Sequence, residues 1–373
     1  MRFLKLILFV AFFYFIYGFI INQFEINVSR GKSSVHSNDG LFDYRGVINV
    51  SSKLSIGSSD FSQIIKSAEK AGLDFIMFTD LNTFSDSGFH SSYQEGILTL
   101  VGSKYSYLDS RIIHYSSKEK NLGSTLGDVQ IGLADIITKR PLENKDQLTI
   151  LTQPKTPAHS WQGDLPSGID GIEILNSKSI ATLHWTKNKL SIFWSLLIYP
   201  FNSRLALLRL FIEPEEEVDF WDTQLKLRPV NAFAGSEATA KAIPFSGYLI
   251  KFPSYLRSFE LVSNHVLLNS ELTGNFENDK KKIFNALKNG HFYLAVDALG
   301  NPNGFNAIIE NKKNTYLMGS RLELTKDLFL KVTIPEIKNV FYEIVVIKDG
   351  VKIKTFNSLT VEMPLTEKGT YRI

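Results

Sequence analysis

"DFSQIIKSAEKAGLDFIMFTD", residues 60 to 80, predicts a helix followed directly by a buried strand. Ser59 or Asp60 can cap the helix and Gly72 can end it. Its apolar residues recur at helical spacing, namely Phe61, Ile64, Ile65, Ala68 and Ala71. The run LDFIMFTD that follows is almost wholly apolar, as in a strand buried on both faces. Because the β-branched segment GVINVSS precedes the helix, the order is strand, helix, strand, which predicts a parallel sheet or barrel.

Later segments repeat this pattern less cleanly and then give way to a different one. QLTILTQP, GIDGIEILN and PVNAFAGS predict buried strands, and DKKKIFNALKNG predicts a helix before the strand HFYLAVD. From about Gly304 short alternating strands follow, in YLMGSRLELT, LFLKVTI and YEIVVIKDGVKIKTFN, with a hairpin turn at KDG. The sequence therefore predicts an α/β barrel over residues 44–303 and a small antiparallel β module over residues 304–373.

Composition bounds the class of protein and the kind of metal site. The chain has 373 residues and is 44% hydrophobic, enough for a large core and against intrinsic disorder. Its 41 basic and 38 acidic residues nearly balance, so bulk charge gives no indication of nucleic-acid binding. With no cysteine, disulfides and thiolate metal ligands are excluded, and any metal must use histidine, carboxylate or water.

The N-terminus predicts a membrane segment. After Arg2 and Lys5, the run LILFVAFFYFIYGFII carries no charge, and with its flanks it approaches the roughly 20 residues of a bilayer-spanning helix. A cleaved signal peptide would need small residues after the apolar core, but Asn22 and Gln23 follow, which favours an uncleaved anchor. We therefore expect residues 1–22 to anchor the chain through residues 3–22 as a single pass, residues 23–43 to form a polar linker, and the rest to lie outside the cytoplasm. If residues 1–22 are cleaved, the protein is secreted.

In α/β folds the chemistry lies at the carboxyl ends of the strands. The residues at or after the ends of the predicted strands are Asn49, Ser51, Asp80, Leu81, Lys104, Gln153, Glu237 and Thr239. All but Leu81 are polar, and several segments around them resemble known motifs. The first two motifs of the PHP (polymerase and histidinol phosphatase) metal-dependent phosphoesterases read H-x-H, a serine-aspartate-glycine turn and T-D-H-N. A similar pattern occurs here in YRGVINVSSKLSIGSSDFSQIIKSAEKAGLDFIMFTDLNT. The resemblance continues in order through GIDGIEILN, PEEEVDFWDTQLKLRPVNAFAGSEATA, FPSYLRSFELVSNHVLL and FNALKNGHFYLAVDAL. It spans roughly residues 44 to 300 and implies a distorted β/α barrel with a trinuclear-type metal site.

Most metal ligands implied by this resemblance are replaced. H-x-H becomes Asn49 and Ser51, and the histidine of T-D-H becomes Leu81. Lys104 replaces a glutamate ligand, Gln153 replaces a histidine before proline, and Thr239 stands where S-D-x-H ends in histidine. An ammonium among the ligands repels a cation, so we expect no cofactor and no tight metal binding. The predicted degenerate pocket comprises Asn49, Ser51, Asp80, Leu81, Lys104, Gln153, Glu237 and Thr239.

Residual donors keep a second interpretation open. Asp80, Glu237 and His114 could still ligate Zn, Mn or Fe, together with Glu173. Each also has a structural interpretation: Asp80 as the cap of the following turn, Glu237 as a solvated loop acid, His114 as a hydrogen-bonded strand residue. His159 and His265 have no metal-binding partners by spacing. If the barrel forms as predicted, Lys104 meets Asp80 and Glu237 in one pocket and replaces the charge of the missing cations.

The segment LSIFWSLLIYPFNSRLALLRLFI, residues 190 to 212, is strongly apolar, but Pro200 and Asn202 split it into pieces too short to span a bilayer. It is either a helical hairpin packed on the barrel or a surface that rests on the membrane. Short apolar runs are usually buried inside domains, which favours packing on the barrel.

Three functions fit these observations. The leading hypothesis is a membrane-anchored pseudoenzyme that binds a small-molecule or protein ligand through the former metal pocket or the C-terminal module. The alternative is an active phosphoesterase with an atypical residual metal site. The third is a structural surface protein in which the barrel is a spacer.

Overall fold

The computed structural model describes residues 2–24, 40–83, 90–116, 122–123, 125–138, 147–157, 159–240, 243–245, 248–250, 252–336 and 341–373. The predicted linker, residues 23–43, lies largely outside this part of the chain, and the predicted domain boundaries stay predictions.

Seven of the first eight strands close into a barrel. The eight strands are β1 (Phe42–Val50), β2 (Phe75–Leu81), β3 (Ser92–Gln94), β4 (Ile97–Tyr107), β5 (Ser110–Ser116), β6 (Gln147–Thr152), β7 (Gly171–Asn176) and β8 (Asn231–Ala238). The barrel order is β1-β2-β4-β5-β6-β7-β8, and β8 pairs back to β1. Five of the seven pairings are parallel, but β5 runs antiparallel to both β4 and β6. The predicted α/β barrel is confirmed, with one reversed strand.

Helices connect and cover the strands. They are α1 (Arg2–Asn22), α2 (Phe61–Ala71), α3 (Leu126–Thr138), α4 (Ser177–Lys187), α5 (Lys189–Ile198), α6 (Ser203–Leu208), α7 (Glu215–Leu227), α8 (Tyr255–Phe259) and α9 (Phe276–Asn289). Gly72 ends α2 and Gly290 ends α9, each in the left-handed conformation that suits glycine. Both helices bury the apolar face that the sequence predicts. The strand, helix, strand unit of residues 46–81 is therefore as predicted.

The C-terminal strands extend the barrel sheet and build the predicted module. They are β9 (Ile243–Phe245), β10 (Tyr248–Ile250), β11 (Ser263–Leu268), β12 (Phe292–Ala295), β13 (Asn306–Glu310), β14 (Thr315–Tyr316), β15 (Phe329–Thr333), β16 (Ile344–Lys348), β17 (Val351–Phe356), β18 (Thr360–Pro364) and β19 (Tyr371–Arg372). β9 and β10 form a separate two-stranded sheet, β11 and β12 continue the barrel sheet beyond β1, and β13 to β19 form two antiparallel sheets. Asp349 and Gly350, both with positive φ, form the predicted hairpin turn.

One strand of the module was predicted wrongly. In the segment of residues 316–325 only Tyr316 lies in a strand. Met318, Leu322 and Leu324 nevertheless pack against the core of the module. Their alternation with polar residues therefore reflects burial of single side chains from an irregular segment, not pairing of a strand.

The inner face of the barrel changes from apolar to polar along its strands. Met77 on β2 is followed two residues later by Thr79, and Leu100 on β4 is followed four residues later by Lys104, all buried. Because side chains alternate along a strand, these residues share one face. The apolar part joins a core cluster to which α9 contributes Ile283 and Leu287. The polar part gathers at the carboxyl ends of the parallel strands, as expected for an α/β site.

Candidate functional site

Lys104 lies inside the barrel and is fully buried. It does not follow a strand, as the sequence suggested, but lies within β4 opposite Leu81, because β4 continues into a hairpin with β5. Its Nζ donates to Glu237 Oε1 and to Asn49 Oδ1, each at 2.9 Å. The ammonium is therefore held by one carboxylate and one amide at the carboxyl ends of β8 and β1.

Two amides join two carboxylates around this ion pair. Asn49 Nδ2 donates to Glu173 Oε1 at 2.8 Å and to Glu237 Oε2 at 2.6 Å. Asn176 Nδ2 donates to Glu173 Oε2 at 2.8 Å and to Glu237 Oε2 at 3.4 Å. All five side chains are buried and are hereafter called the Lys104 cluster: Lys104, Asn49, Asn176, Glu173 and Glu237. Buried charges of this kind persist only when paired and hydrogen-bonded, and each member here has at least two such partners.

Irregular backbone brings Asn49 and Glu237 face to face. The pairing of β1 with β8 shifts register between Ile48 and Val50, and Asn49 and Glu237 both have positive φ, 61° and 43°. Asparagine tolerates this region well, whereas for glutamate it is strained by about 1 kcal/mol or more. Gly235 leaves the space that Glu173 occupies, because a Cβ at Gly235 would lie 1.7 Å from Glu173 Oε1.

The two carboxylates differ in charge state. Burial, and then the charge of the neighbouring Glu237, raise the pKa of Glu173 to about 8. Burial would also raise the pKa of Glu237, but the Lys104 ammonium outweighs it and holds this pKa below its ordinary value. At neutral pH the cluster therefore carries one positive charge on Lys104, one negative charge on Glu237 and a largely protonated Glu173.

Asp80 is bound by a different part of the chain. Its carboxylate accepts from the backbone N–H of Ser52 at 2.8 Å and from the hydroxyls of Ser52 and Ser55 at 2.8 and 2.6 Å. The sequence predicted that Lys104 meets both Glu237 and Asp80. The contact with Glu237 is present, whereas the hydrogen bonds that the structure gives Asp80 are to the loop after β1. The Asp80 carboxylate thus organises the preceding loop. Its expected capping of the following turn stays a prediction, because residues 84–89 lie outside the described residues.

His114 lies away from the Lys104 cluster. Its Nδ1 lies 3.0 Å from Thr149 Oγ1 on β6, and burial together with the charge of Lys288 lowers its pKa to about 4. Lys288, on α9, hydrogen-bonds the carbonyl of Gln147 at the start of β6. Ile113 and Tyr115, the neighbours of His114 on β5, belong to the barrel core, so the alternation of side chains along the strand turns His114 to the opposite, outer face. The prediction that it is a hydrogen-bonded strand residue is confirmed.

The other predicted pocket residues lie at the same strand ends with structural contacts of their own. The Ser51 hydroxyl donates to the carbonyl of Thr79 at 3.2 Å, and the carbonyl of Thr239 accepts from Ser58. Gln153 is buried directly after β6 with a positive φ of 50°, and Leu81 is the last residue of β2.

Several residues near the site were not among the predicted pocket residues. Asn176 ends β7 and looks in the sequence like a plain helix N-cap, which it also is, since its Oδ1 accepts from Lys178 and Ser179. Burial lowers the pKa of His159, and the charges of Arg111 and Lys178 lower it further. Glu237 raises this pKa, and Lys104 lowers it. His159 and Lys178 thus lie close enough to the Lys104 cluster to interact with it electrostatically, and Arg111 interacts in the same way with His159. The reversed direction of β5 brings Arg111 there, and nothing local in the sequence indicates this reversal.

The residues of the Lys104 cluster do not fit a divalent metal. Metals of the zinc, manganese or iron type need several imidazole or carboxylate donors with free lone pairs. Here Glu237 is already paired with an ammonium, and both amides direct their N–H groups at the carboxylates. Within the part of the chain that the structure describes, no three His, Asp or Glu side chains gather into a group that could hold a metal ion.

Comparisons with known proteins give neighbours among solved structures. No family model and no curated protein matches the chain. A "two-domain protein containing predicted PHP-like metal-dependent phosphoesterase" from Bacteroides vulgatus ATCC 8482 is 13% identical, covers 93% of this chain and 89% of its own, and has a TM-score of 0.43. PsfC from Pseudomonas syringae PB-5123 is 11% identical and covers 69% of this chain and 93% of its own, with a TM-score of 0.40. A candidate metal-dependent phosphoesterase from Bifidobacterium adolescentis ATCC 15703 is 10% identical, covers 57% of this chain and 94% of its own, and has a TM-score of 0.28.

One of these neighbours is described as PHP-like, and a second as a metal-dependent phosphoesterase, at 13% and 10% identity. The first description names the kind of protein that the sequence motifs resemble. With TM-scores below 0.5 these likenesses carry no argument about activity, which rests on the residues of this chain.

Proposed function

We propose that this protein is a membrane-anchored, PHP-like pseudoenzyme that uses the mouth of its barrel to bind a ligand without a metal. The observation that supports this most directly is the position of Lys104. Its ammonium lies 2.9 Å from both Glu237 Oε1 and Asn49 Oδ1, at a position where the sequence resemblance implies metal ligands. A fixed cation of the protein then supplies the positive charge that the carboxylates need.

The residual-metal alternative has less support. It requires Asp80, Glu173, Glu237 and His114 to converge on one ion. Asp80 is hydrogen-bonded to Ser52 and Ser55, Glu237 is paired with Lys104, and His114 is bound to Thr149 near Lys288. A metal that activates water for attack on phosphorus would first have to displace these partners.

An anion is the ligand class that suits the mouth best. Arg111 pairs with Thr152 at the carboxyl end of β6, and Lys178 lies in the first turn of α4 after β7, so both residues lie at the mouth of the barrel. Burial lowers the pKa of His159, and the charges of Arg111 and Lys178 lower it further. The charge of Lys104 also lowers it, against the opposing effect of Glu237. Within the described residues, the buried Nε of Arg111 has no hydrogen-bond partner. Guanidinium and ammonium groups bind phosphate and carboxylate oxygens strongly, so a small molecule or a protein segment with such a group is the expected ligand.

The anchor is α1. It is long and apolar enough to cross a membrane, and the basic residues Arg2 and Lys5 precede or lie near the start of its apolar part. We propose that it is retained, with the barrel and the C-terminal module outside the cytoplasm. Carbonate washing of membranes that contain the full-length protein should leave it in the pellet, and a tag at the C-terminus should be digested by protease added to intact cells or spheroplasts. Recovery of a soluble chain that starts near Asn22 would contradict the retained anchor.

Metal content and turnover test the pseudoenzyme proposal. The full-length protein, purified in detergent from cells supplied with zinc, manganese and iron, should hold far less than one equivalent of metal. It should also hydrolyse p-nitrophenyl phosphate and bis-p-nitrophenyl phosphate no faster than the Glu237→Gln variant, which serves as the matched control. Stoichiometric metal, or hydrolysis that disappears in Glu237→Gln, would contradict the proposal.

A further inference from the structure

A row of large apolar side chains on α5 and the end of α4 is exposed. α5 buries Ser195 and Ile198 on its inner face, and α6 after it packs Leu207 on the barrel side. The expected packing of residues 190–212 on the barrel thus describes α6, whereas the outer face of α5 is open. The exposed side chains are Trp185 (50%), Leu190 (82%), Phe193 (60%), Trp194 (44%) and Leu196 (37%), hereafter the α5 face. Contiguous exposed apolar side chains of this kind indicate an interaction surface.

The α5 face lies beside α1. The rings of Tyr17 and Trp194 are 5.5 Å apart, and the ring of Phe201 packs between Tyr14 and Phe15 at 5.0 and 6.1 Å. Gly18 allows this contact, because a Cβ there would lie 2.4 Å from the Phe201 ring. The end of α5 and the turn after it therefore pack directly on the second half of the apolar helix.

The two helix ends satisfy each other's backbone groups. The Tyr14 hydroxyl donates to the carbonyl of Leu197, in the last turn of α5, at 2.8 Å. Asn202 Nδ2 donates to the carbonyls of Ile21 and Phe24, at the end of α1, at 3.2 and 2.8 Å. The last carbonyls of a helix lack partners within the helix, and in lipid each unsatisfied group costs several kcal/mol. These contacts meet the requirement that a membrane imposes on a short helix beside an anchor.

Helix geometry gives the depth of the α5 face. The 21 residues of α1 span about 31 Å at 1.5 Å per residue, close to the thickness of the hydrocarbon core. Tyr14 lies eight residues before the end of α1 at Asn22, about 12 Å along the axis. Since Tyr14 contacts Leu197, the end of α5 reaches into the leaflet from which α1 emerges. At the other end of α5, Lys189 Nζ lies 5.8 Å from the Trp185 ring, a pairing typical of the membrane interface.

We propose that the α5 face is a second membrane-contact surface, embedded in the leaflet at the carboxyl end of α1, and that its partner is the phospholipid bilayer itself. The proposal rests on the membrane anchoring by α1 proposed above. Its consequence for function is orientation. α4 begins directly after Asn176, its N-cap and a member of the Lys104 cluster, and leads over 11 residues, about 16 Å, to the α5 face. The barrel mouth is therefore held at a fixed, short distance from the lipid surface instead of moving on a free tether.

The absence of cysteine makes a site-specific test direct, because one introduced cysteine is unique. Nitroxide labels at Phe193→Cys and Leu190→Cys would be measured in the full-length protein reconstituted in nanodiscs of phosphatidylcholine and phosphatidylglycerol. We expect both labels to collide more with oxygen than with a water-soluble nickel chelate, as labels in lipid do. Leu227→Cys, at an exposed position of the barrel helix α7, is the matched control and should show the opposite order.

A label at Phe9→Cys in α1 separates this inference from the anchor. If Phe9 is in lipid but Phe193 and Leu190 collide mainly with the nickel chelate, the α5 face is not a membrane surface and the inference is wrong, while the anchor stands. If Phe9 itself is in water, the proposed anchoring fails. Lipid exposure of all three labels, with Leu227 in water, supports both.

Discussion

Replacing Lys104 with methionine tests the central feature of the site. The change keeps most of the side-chain length and removes the ammonium that lies 2.9 Å from Glu237 Oε1. Breaking a buried ion pair by removing one partner costs about 3 to 5 kcal/mol, because the remaining charge stays buried without compensation. The lost hydrogen bond to Asn49 adds about 1 kcal/mol.

The variant can limit this loss by protonating Glu237. In an unfolded chain its ordinary pKa is 4.5, so holding it protonated costs about 1.36 kcal/mol for each pH unit above that value. At pH 5 protonation costs less than about 1 kcal/mol, whereas at pH 8 it costs nearly as much as leaving the charge buried. We therefore expect Lys104→Met, with the lost hydrogen bond included, to lower the free energy of unfolding by about 4 to 6 kcal/mol at pH 8 and by about 1 to 2 kcal/mol at pH 5.

Urea denaturation of the full-length protein in a mild detergent, followed by tryptophan fluorescence, would measure both values. The control is Lys331→Met, which removes a half-exposed lysine paired with Glu310 and should cost less than about 1 kcal/mol at either pH. Lys104→Met with Glu237→Gln should recover much of the pH-dependent loss. If Lys104→Met costs no more than Lys331→Met, or if its cost does not grow with pH, the ammonium does not neutralise Glu237.

Three further predictions concern titration and metal. Because the pKa of Glu173 is raised to about 8, its contribution to stability is greatest below pH 4.5 and is lost as pH rises toward 8. A plot of unfolding free energy against pH should therefore fall over this range in the parent, and Glu173→Gln should remove that fall. An unchanged fall in the variant would contradict the assignment. Burial lowers the pKa of His265, but its hydrogen bonds to Asp297 and Asp43 outweigh burial and raise it to about 9. The stability that His265 contributes is therefore full below about pH 6.5 and is lost as pH rises through 9. His265→Asn should be less stable than the parent at pH 6 but similar to it at pH 10. If the variant is less stable than the parent by the same amount at both pH values, the prediction is wrong. Finally, a variant that restores the donors implied by the resemblance should bind zinc in isothermal titration where the parent does not. It combines Lys104→Glu with Asn49→His, Ser51→His, Leu81→His, Gln153→His and Thr239→His. If this variant folds but does not bind zinc, these positions do not converge.

Local sequence patterns were sufficient where the structure depends on local rules. The helical face of residues 61–71, its glycine stop and the buried strand after it are set by periodicity and by the left-handed conformation at Gly72, so they are correct. The same holds for the hairpin at Asp349 and Gly350. The pairing of Lys104 with Glu237 was also anticipated, because the motif order placed both at the mouth of one barrel.

Roles that depend on distant partners could not be predicted in this way. Asp80 is bound by Ser52 and Ser55, about 25 residues earlier, through hydrogen bonds that no spacing rule indicates. His265 on β11 likewise finds Asp43 on the neighbouring strand β1, 222 residues earlier in the sequence. The exposed face of α5 looked like core because short apolar runs are usually buried; its neighbour is α1, which belongs to no part of the barrel.

Asn49 explains why single reversions toward a metal site should fail. Its Oδ1 accepts from Lys104 and from the Thr79 hydroxyl, while its Nδ2 donates to Glu173 and Glu237, so the amide uses two acceptor and two donor positions. A neutral histidine has one donor and one acceptor and cannot replace these four bonds, and a protonated histidine would repel the Lys104 ammonium. While Lys104 remains, asparagine is therefore better suited to this position than the histidine implied by the family motif. Conversely, while Asn49 and Asn176 direct their N–H groups at both carboxylates, those oxygens are unavailable to a cation. The lysine and the amides thus stabilise one another, and a metal site requires that they change together.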